Sequence, residues 1–169
     1  MWVGTASRGL NRWDPKQKRF VHYVHNRADE TSLSSNVIMA IYQDTPGTLW
    51  IGTWGGGLNR LDIKTGAFKH YIHTNGPTNS SIMGLLGDKN HNLWMSTTNG
   101  LFKFEPHNNA FTNYTKVDGL QADEFNQDSF FLSESGEMFF GGTNGFNYFH
   151  PENIKTNTNL PVIALTNFK

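Results

Sequence analysis

The chain has 169 residues, 14 Lys plus Arg against 14 Asp plus Glu, and no cysteine. That length suits one domain with a sizeable core. Zero net charge gives no electrostatic reason to expect a nucleic acid or an anionic membrane as partner, and the lack of cysteine excludes disulfides, thiolate nucleophiles and Cys-ligated zinc. No apolar run approaches the length of a membrane span. Thirteen Phe, five Trp and 17 Gly favour sheets and tight turns over helices.

In chain order, the first segment is "MWVGTASRGLNRWD" at 1–14. It has no basic region followed by an apolar one, so it does not read as a signal peptide. It opens inside a strand-like pattern, and the expectation is a longer parent protein. The same pattern returns as "LWIGTWGGGLNRLD" at 49–62, "LWMSTTNGLFKFE" at 93–105 and "MFFGGTNGFNYFH" at 138–150. The anchor aromatics Trp2, Trp50, Trp94 and Phe139 are spaced by 48, 44 and 45 residues. A Phe-x-x-Tyr follows in three copies, at Phe20/Tyr23, Phe68/Tyr71 and Phe111/Tyr114. An alternating run precedes each later anchor, at 36–47, 81–92 and 125–136.

Each complete repeat therefore reads as four short strands. In the second copy they fall at roughly 37–43, 48–53, 57–62 and 67–72. Four strands per repeat of this length is the arithmetic of a β-propeller blade. A single blade has two apolar faces and needs neighbours to cover them. The reading is an all-β partial propeller of about four blades, each of four antiparallel strands, with the aromatic anchors wedged between blades. A β-helix is the alternative stacked repeat. The blade motifs lie at about 1–25, 36–73, 81–116 and 124–154, within a propeller unit of 1–158. The first lacks its leading strand and the fourth its last. "LPVIALTNFK", within 159–169, reads as a further tail strand.

"DTPGTLWIGTWGGGLNRLDIKTGAFKHY" closely resembles the two-component regulator propeller repeat. "GLQADEFNQDSFFLSESGEMFFGGTNGFNYFHPENI" resembles the last blade of that family, and the tail resembles the entry to the Ig-like Y_Y_Y domain that usually follows. The resemblance implies a periplasmic, non-enzymatic sensor region of a bacterial signalling protein. Its parent would be anchored in the inner membrane through segments outside this chain, with a histidine kinase or diguanylate cyclase as output. A glycan fragment or other small ligand is the implied partner, and no cofactor is implied.

The glycines at 52, 55, 56 and 57 do not form a phosphate loop, because a strand follows rather than a helix. They read as a hairpin turn. "HYVH" at 22–25 and "HYIH" at 70–73 have metal-like spacing, but residues three apart on a strand point to opposite faces, so no metal site is expected. Arg12, Arg60 and Lys103 stand two residues before Asp14, Asp62 and Glu105, and same-face salt bridges at the blade edge are expected. The carboxylates Asp123, Glu124 and Asp128 share one segment and cannot face each other across a sugar. Trp54 sits in a turn where the sister copies have Ala6 and Thr98. Trp54, Arg60 and Asn99 are the candidate ligand contacts. Two further readings stay open: a propeller-based lyase or glycosidase, and a self-assembling half-propeller that associates through its open blade edges.

Overall fold

The computed structural model of the protein describes residues 1–71, 77 and 80–154. The tail at 159–169 and His73 lie outside these residues. Among the described residues, fourteen strands form four antiparallel sheets. Blade 1 contains β1 (Trp2–Gly4), β2 (Leu10–Asp14) and β3 (Arg19–Tyr23). Blade 2 contains β4 (Ile38–Thr45), β5 (Thr48–Thr53), β6 (Gly57–Asp62) and β7 (Phe68–Tyr71). Blade 3 contains β8 (Ile82–Gly87), β9 (Leu93–Thr97), β10 (Gly100–Glu105) and β11 (Ala110–Tyr114). Blade 4 contains β12 (Phe125–Leu132), β13 (Met138–Gly142) and β14 (Gly145–Phe149). Strand order equals chain order in every sheet, so each blade is a meander. The leading strands β4, β8 and β12 lie against one another and form the inner edge of the arc.

Three apolar clusters sit between the sheets, one per blade junction. Leu10, with Trp2 and Tyr23 packed against it, meets Ile38, Leu49, Ile51, Leu61 and Phe68 of blade 2. Trp50, Leu58 and Tyr71 meet Ile82, Leu85, Leu93, Met95 and Phe104 of blade 3. Trp94 and Leu101, with Tyr114, meet Phe125, Met138 and Phe140 of blade 4. Trp50 and Trp94 are 3% and 1% exposed. Trp50 stands 5.8 Å from the Phe104 ring of the next blade, and Trp94 4.9 Å from Phe149. Burying one such ring stabilises by roughly 1.5–3 kcal/mol, so the anchors weld blade to blade.

The strand register explains which residues share a face. Tyr42, Trp50 and Arg60 are cross-strand partners in blade 2, as are Leu86, Trp94 and Lys103 in blade 3 and Phe131, Phe139 and Tyr148 in blade 4. Phe139 thus holds the anchor register, but its face is open in the described residues.

The glycines divide into two kinds. Gly55 and Gly57 have φ of 70° and 67°, so the β5–β6 turn uses the left-handed region that glycine reaches freely. Gly52 is different from the turn role expected of it. It lies within β5, and a Cβ there would come within 2.5 Å of Ile82 Cγ2 in blade 3. Its missing side chain lets the next inner strand approach. Thr53 then closes the turn, its Oγ1 donating to the Gly57 carbonyl at 2.9 Å. Thr5 and Thr97 do the same at 2.9 and 2.8 Å to Gly9 and Gly100.

Candidate functional site

A groove of about 460 Å³ opens where blades 2 and 3 meet at the rim. That volume falls within the usual range for small-ligand sites. Three segments build its walls: Asp44 and Thr45 at the end of β4 with Thr48 at the start of β5, Asn90 and His91 between β8 and β9, and Pro106 and His107 after β10. Trp50, Arg60 and Tyr71 line its base. The Arg60 guanidinium lies 5.9 Å over the Trp50 ring, and its Nη2 reaches Thr48 Oγ1 at 3.4 Å. Arg60 is otherwise exposed. A guanidinium placed in this way presents N–H donors to hydroxyl or carboxylate oxygens.

His91 and Asp44 join the two blades across the groove, Nδ1 to Oδ1 at 2.8 Å. The Asp44 hydrogen bond, and then its negative charge, raise the His91 pKa above its ordinary 6.5. The β8–β9 turn that carries His91 is held by Asp88. Its carboxylate accepts the backbone N–H of Asn90 and Asn92, both at 2.9 Å, and the Trp94 indole N–H at 3.1 Å.

The three residues marked by sequence as ligand contacts do not come together. Arg60 lines the groove. Trp54 is 52% exposed at the β5–β6 turn, its backbone N–H donating to Val37 O at 3.0 Å. Asn99 is exposed at the matching turn of blade 3, its N–H donating to Thr97 Oγ1 at 2.9 Å. That end of blade 2 is about 13 Å from Arg60 along the strand direction.

The expected Arg–Asp bridges are corrected in two of three copies. Lys103 Nζ does meet Glu105 Oε1 at 2.7 Å, and this contact, followed by the Asn108 amide, lowers the Glu105 pKa. Asp62 instead accepts the backbone N–H of Lys64 and Thr65 at 2.8 and 3.1 Å. Asp14 accepts those of Lys16 and Gln17 at 2.9 and 3.1 Å. The turn amides lower both carboxyl pKa values more than the arginines do, Thr65 leading for Asp62 and Gln17 for Asp14. Arg12 and Arg60 lie over Trp2 and Trp50.

His25 and His70 bind the loop between blades 1 and 2. His25 Nδ1 lies 2.7 Å from Leu33 O, and His70 Nε2 lies 2.6 Å from Ser32 O. A carbonyl only accepts, so both nitrogens carry their protons. His22 Nδ1 faces Asn11 Oδ1 at 2.5 Å. Among the described residues, no three His, Cys, Asp or Glu side chains are placed to share a metal ion. Asp123 Oδ1 accepts the Lys116 N–H at 2.6 Å, and Asp128 stands in an irregular stretch of β12 with φ of 56°. Asp123 thus holds the connection that leads into blade 4.

The Asn of the repeated "LNR" has a role that sequence reading missed. Asn59 is fully buried, accepting the Ser34 N–H at 3.0 Å and donating to Ser34 Oγ at 2.7 Å. Asn147 in blade 4 accepts the Gln121 N–H at 3.1 Å in the same way. Each pins the connection that arrives from the preceding blade. The recurrence of Asn at this position in three of the four copies was the available signal.

Comparison with known proteins follows the same lines. Residues 32–55 match the two component regulator propeller family. Over 95 residues, 56% of this chain, the sequence is 34% identical to histidine kinase P4 of Formosa agariphila and spans 7% of that protein. The fold is similar to the extracellular domain of BT4673 from B. thetaiotaomicron, assigned to a one-component or hybrid two-component system. The TM-score is 0.69 at 23% identity, covering 87% of this chain and 19% of that one. PorZ of Porphyromonas gingivalis, a surface component of the type-IX secretion system, gives a TM-score of 0.64 at 15% identity, covering 88% of this chain and 23% of that one. The chain thus spans less than a quarter of each of these relatives. It is a run of β-propeller blades that carries the two-component regulator propeller repeat.

Proposed function

We propose that this chain is the recognition part of a bacterial sensor that works outside the cytoplasm. It binds a small ligand without transforming it and passes binding on as a movement of rigid blades. The observation that carries the reading is the regulator propeller repeat, together with 34% identity to a histidine kinase over more than half of the chain. The groove between blades 2 and 3 supplies the ligand chemistry. Arg60, Asn90, His91 and His107 offer donors above a Trp50–Tyr71 base, a combination suited to the hydroxyls and carboxylates of an acidic sugar fragment. The ligand would bridge two blades, and a ligand that binds one arrangement of the blades better biases them toward it. Anchoring of the parent protein in the inner membrane, and a kinase or cyclase output, belong to the same proposal.

The test is calorimetric titration of the chain with a panel of neutral and acidic oligosaccharides. The expected result is binding of an acidic member that Arg60→Ala weakens about tenfold or more. Binding that Arg60→Ala leaves unchanged would move the site elsewhere. Chain-dependent release of shorter sugars would overturn the non-enzymatic reading.

A further inference from the structure

Asp44 and Asp88 hold the same register position in successive blades. Each stands two residues beyond the residue paired with its blade's anchor, Tyr42 opposite Trp50 and Leu86 opposite Trp94. The two carboxylates are used differently. Asp44 crosses the groove to His91 of the next blade at 2.8 Å. Asp88 stays within blade 3, and its two oxygens have separate partners. Oδ1 accepts the backbone N–H of Asn90 and Asn92, both at 2.9 Å, and so fixes the turn that carries His91. Oδ2 accepts the Trp94 indole N–H at 3.1 Å and the Asn92 side-chain amide at 3.0 Å. Backbone bonds close the same turn, from His91 N–H to Asp88 O at 3.1 Å and from Asp88 N–H to Asn92 O at 2.9 Å.

Trp94 belongs to the other junction of blade 3. It is 1% exposed, and its ring lies 4.9 Å from Phe149 in the cluster that joins blades 3 and 4. Direct contacts therefore run from Asp44 in blade 2 through His91, its turn and Asp88 to Trp94 and blade 4. The bond from the indole to a carboxylate is charge-assisted and stronger than a neutral one. A close-packed interior transmits a displacement of the ring rather than absorbing it.

We propose that Asp88 is a positioning residue that couples the groove to the junction of blades 3 and 4. Rearrangement of the His91–Asp44 contact shifts the turn, the Asp88 carboxylate carries the shift to the Trp94 indole, and blade 4 receives it at Phe149. That a ligand causes the rearrangement rests on the proposed sensing role, whereas the coupling belongs to the folded chain and is tested without a ligand. Coupling between two sites is reciprocal, so changes at the two ends must depend on each other.

The experiment is a double-mutant cycle read from urea unfolding. Asp44→Ala removes the contact at the groove, and Phe149→Leu loosens the far junction. Sites that share no partner are additive within about twofold in the unfolding equilibrium constant. Here the expected departure from additivity is about fivefold or more. The cycle is then repeated with Asp88→Asn, whose amide oxygen still accepts the turn N–H groups but whose nitrogen cannot accept the Trp94 N–H. The departure should vanish, while the amide protons of Asn90 and Asn92 stay protected from exchange. Trp94→Phe deletes the donor instead of the acceptor and should abolish the departure equally. An NMR spectrum gives a second readout: Asp44→Ala should move the Trp94 indole proton and the Phe149 ring protons, and with Asp88→Asn the Phe149 shift should disappear. Additive effects in the otherwise wild-type chain overturn the proposal. So does a coupling that survives both Asp88→Asn and Trp94→Phe. A coupling that is present in a chain that binds no oligosaccharide upholds the role of Asp88 and removes the ligand from the groove.

Discussion

His91, in the β8–β9 turn of blade 3, and Asp44, near the end of β4 in blade 2, meet at 2.8 Å across the groove. Their bond links the stability of one blade junction to pH. The folded pKa of His91 is raised above 6.5, first by the Asp44 hydrogen bond and then by its charge. A raised folded pKa means that the contribution is fully present below 6.5 and is lost as pH rises through the folded value. The expected outcome is a His91 midpoint above 6.5 in an NMR titration of the ring protons, falling toward 6.5 in Asp44→Asn. The same substitution should remove the high-pH decline in thermal stability that belongs to this junction. An unchanged midpoint would show that the two side chains do not meet in solution.

Gly52 gives a sharper structural test. A Cβ at this position would lie 2.5 Å from Ile82 Cγ2 and 2.9 Å from Ile82 Cβ, atoms close to the backbone of the next blade. No side-chain rotation relieves that clash. Gly52→Ala should cost about 1–3 kcal/mol, read from urea unfolding. Gly55→Ala meets nothing within 4 Å but must hold φ of 70°. Its cost should be about 1–2 kcal/mol and should not alter the blade 2–blade 3 junction. Aromatic proton shifts of Trp50 and Phe104 distinguish the two, moving for Gly52→Ala and staying fixed for Gly55→Ala.

Asn59 should matter more for a loop than for its own strand. Removing its amide leaves the half-buried Ser34 N–H without its acceptor. Asn59→Ala should therefore cost about 1–3 kcal/mol. The effect should appear as faster amide exchange around residues 32–36, with the β5–β6 core still protected. Blade 3 carries Phe102 at this register position, buried in the junction with blade 2. The position accepts either a polar pin or a packing residue, and only the first ties down a loop.

The repeat was legible because its signals are local. Alternation, turn glycines and an aromatic every 44–48 residues all lie within windows of a few strands. What escaped depends on partners distant in sequence or on competition for one group. Gly52 stands beside turn glycines in the text, yet its reason for being glycine is Ile82, thirty positions on. Asn59 answers to Ser34, 25 residues earlier. Asp62 shares a strand face with Arg60, which suggested a bridge, but the turn amides hold the Asp62 carboxylate while the Arg60 guanidinium lies over the Trp50 ring. The groove itself comes from turns of two blades, so its residues are scattered from Asp44 to His107.

That scattering separates residues that sequence alone had grouped. Arg60 lines the groove, whereas Trp54 and Asn99 stand at the opposite end of their blades, about 13 Å away along the strands. A ligand of one or two sugar units seated against Arg60 and His91 would not reach the Trp54 turn about 13 Å away. Arg60→Ala and His107→Ala should therefore each weaken its binding, Arg60→Ala by about tenfold or more because a charge-assisted donor is lost. Trp54→Ala and Asn99→Ala should leave the affinity unchanged within about twofold, since exposed residues remote from a ligand act independently of it. Calorimetry on the four variants checks this directly. A loss in Trp54→Ala that equals the loss in Arg60→Ala would place the ligand across the turn end of the blades, and the groove would then be only a junction between two sheets.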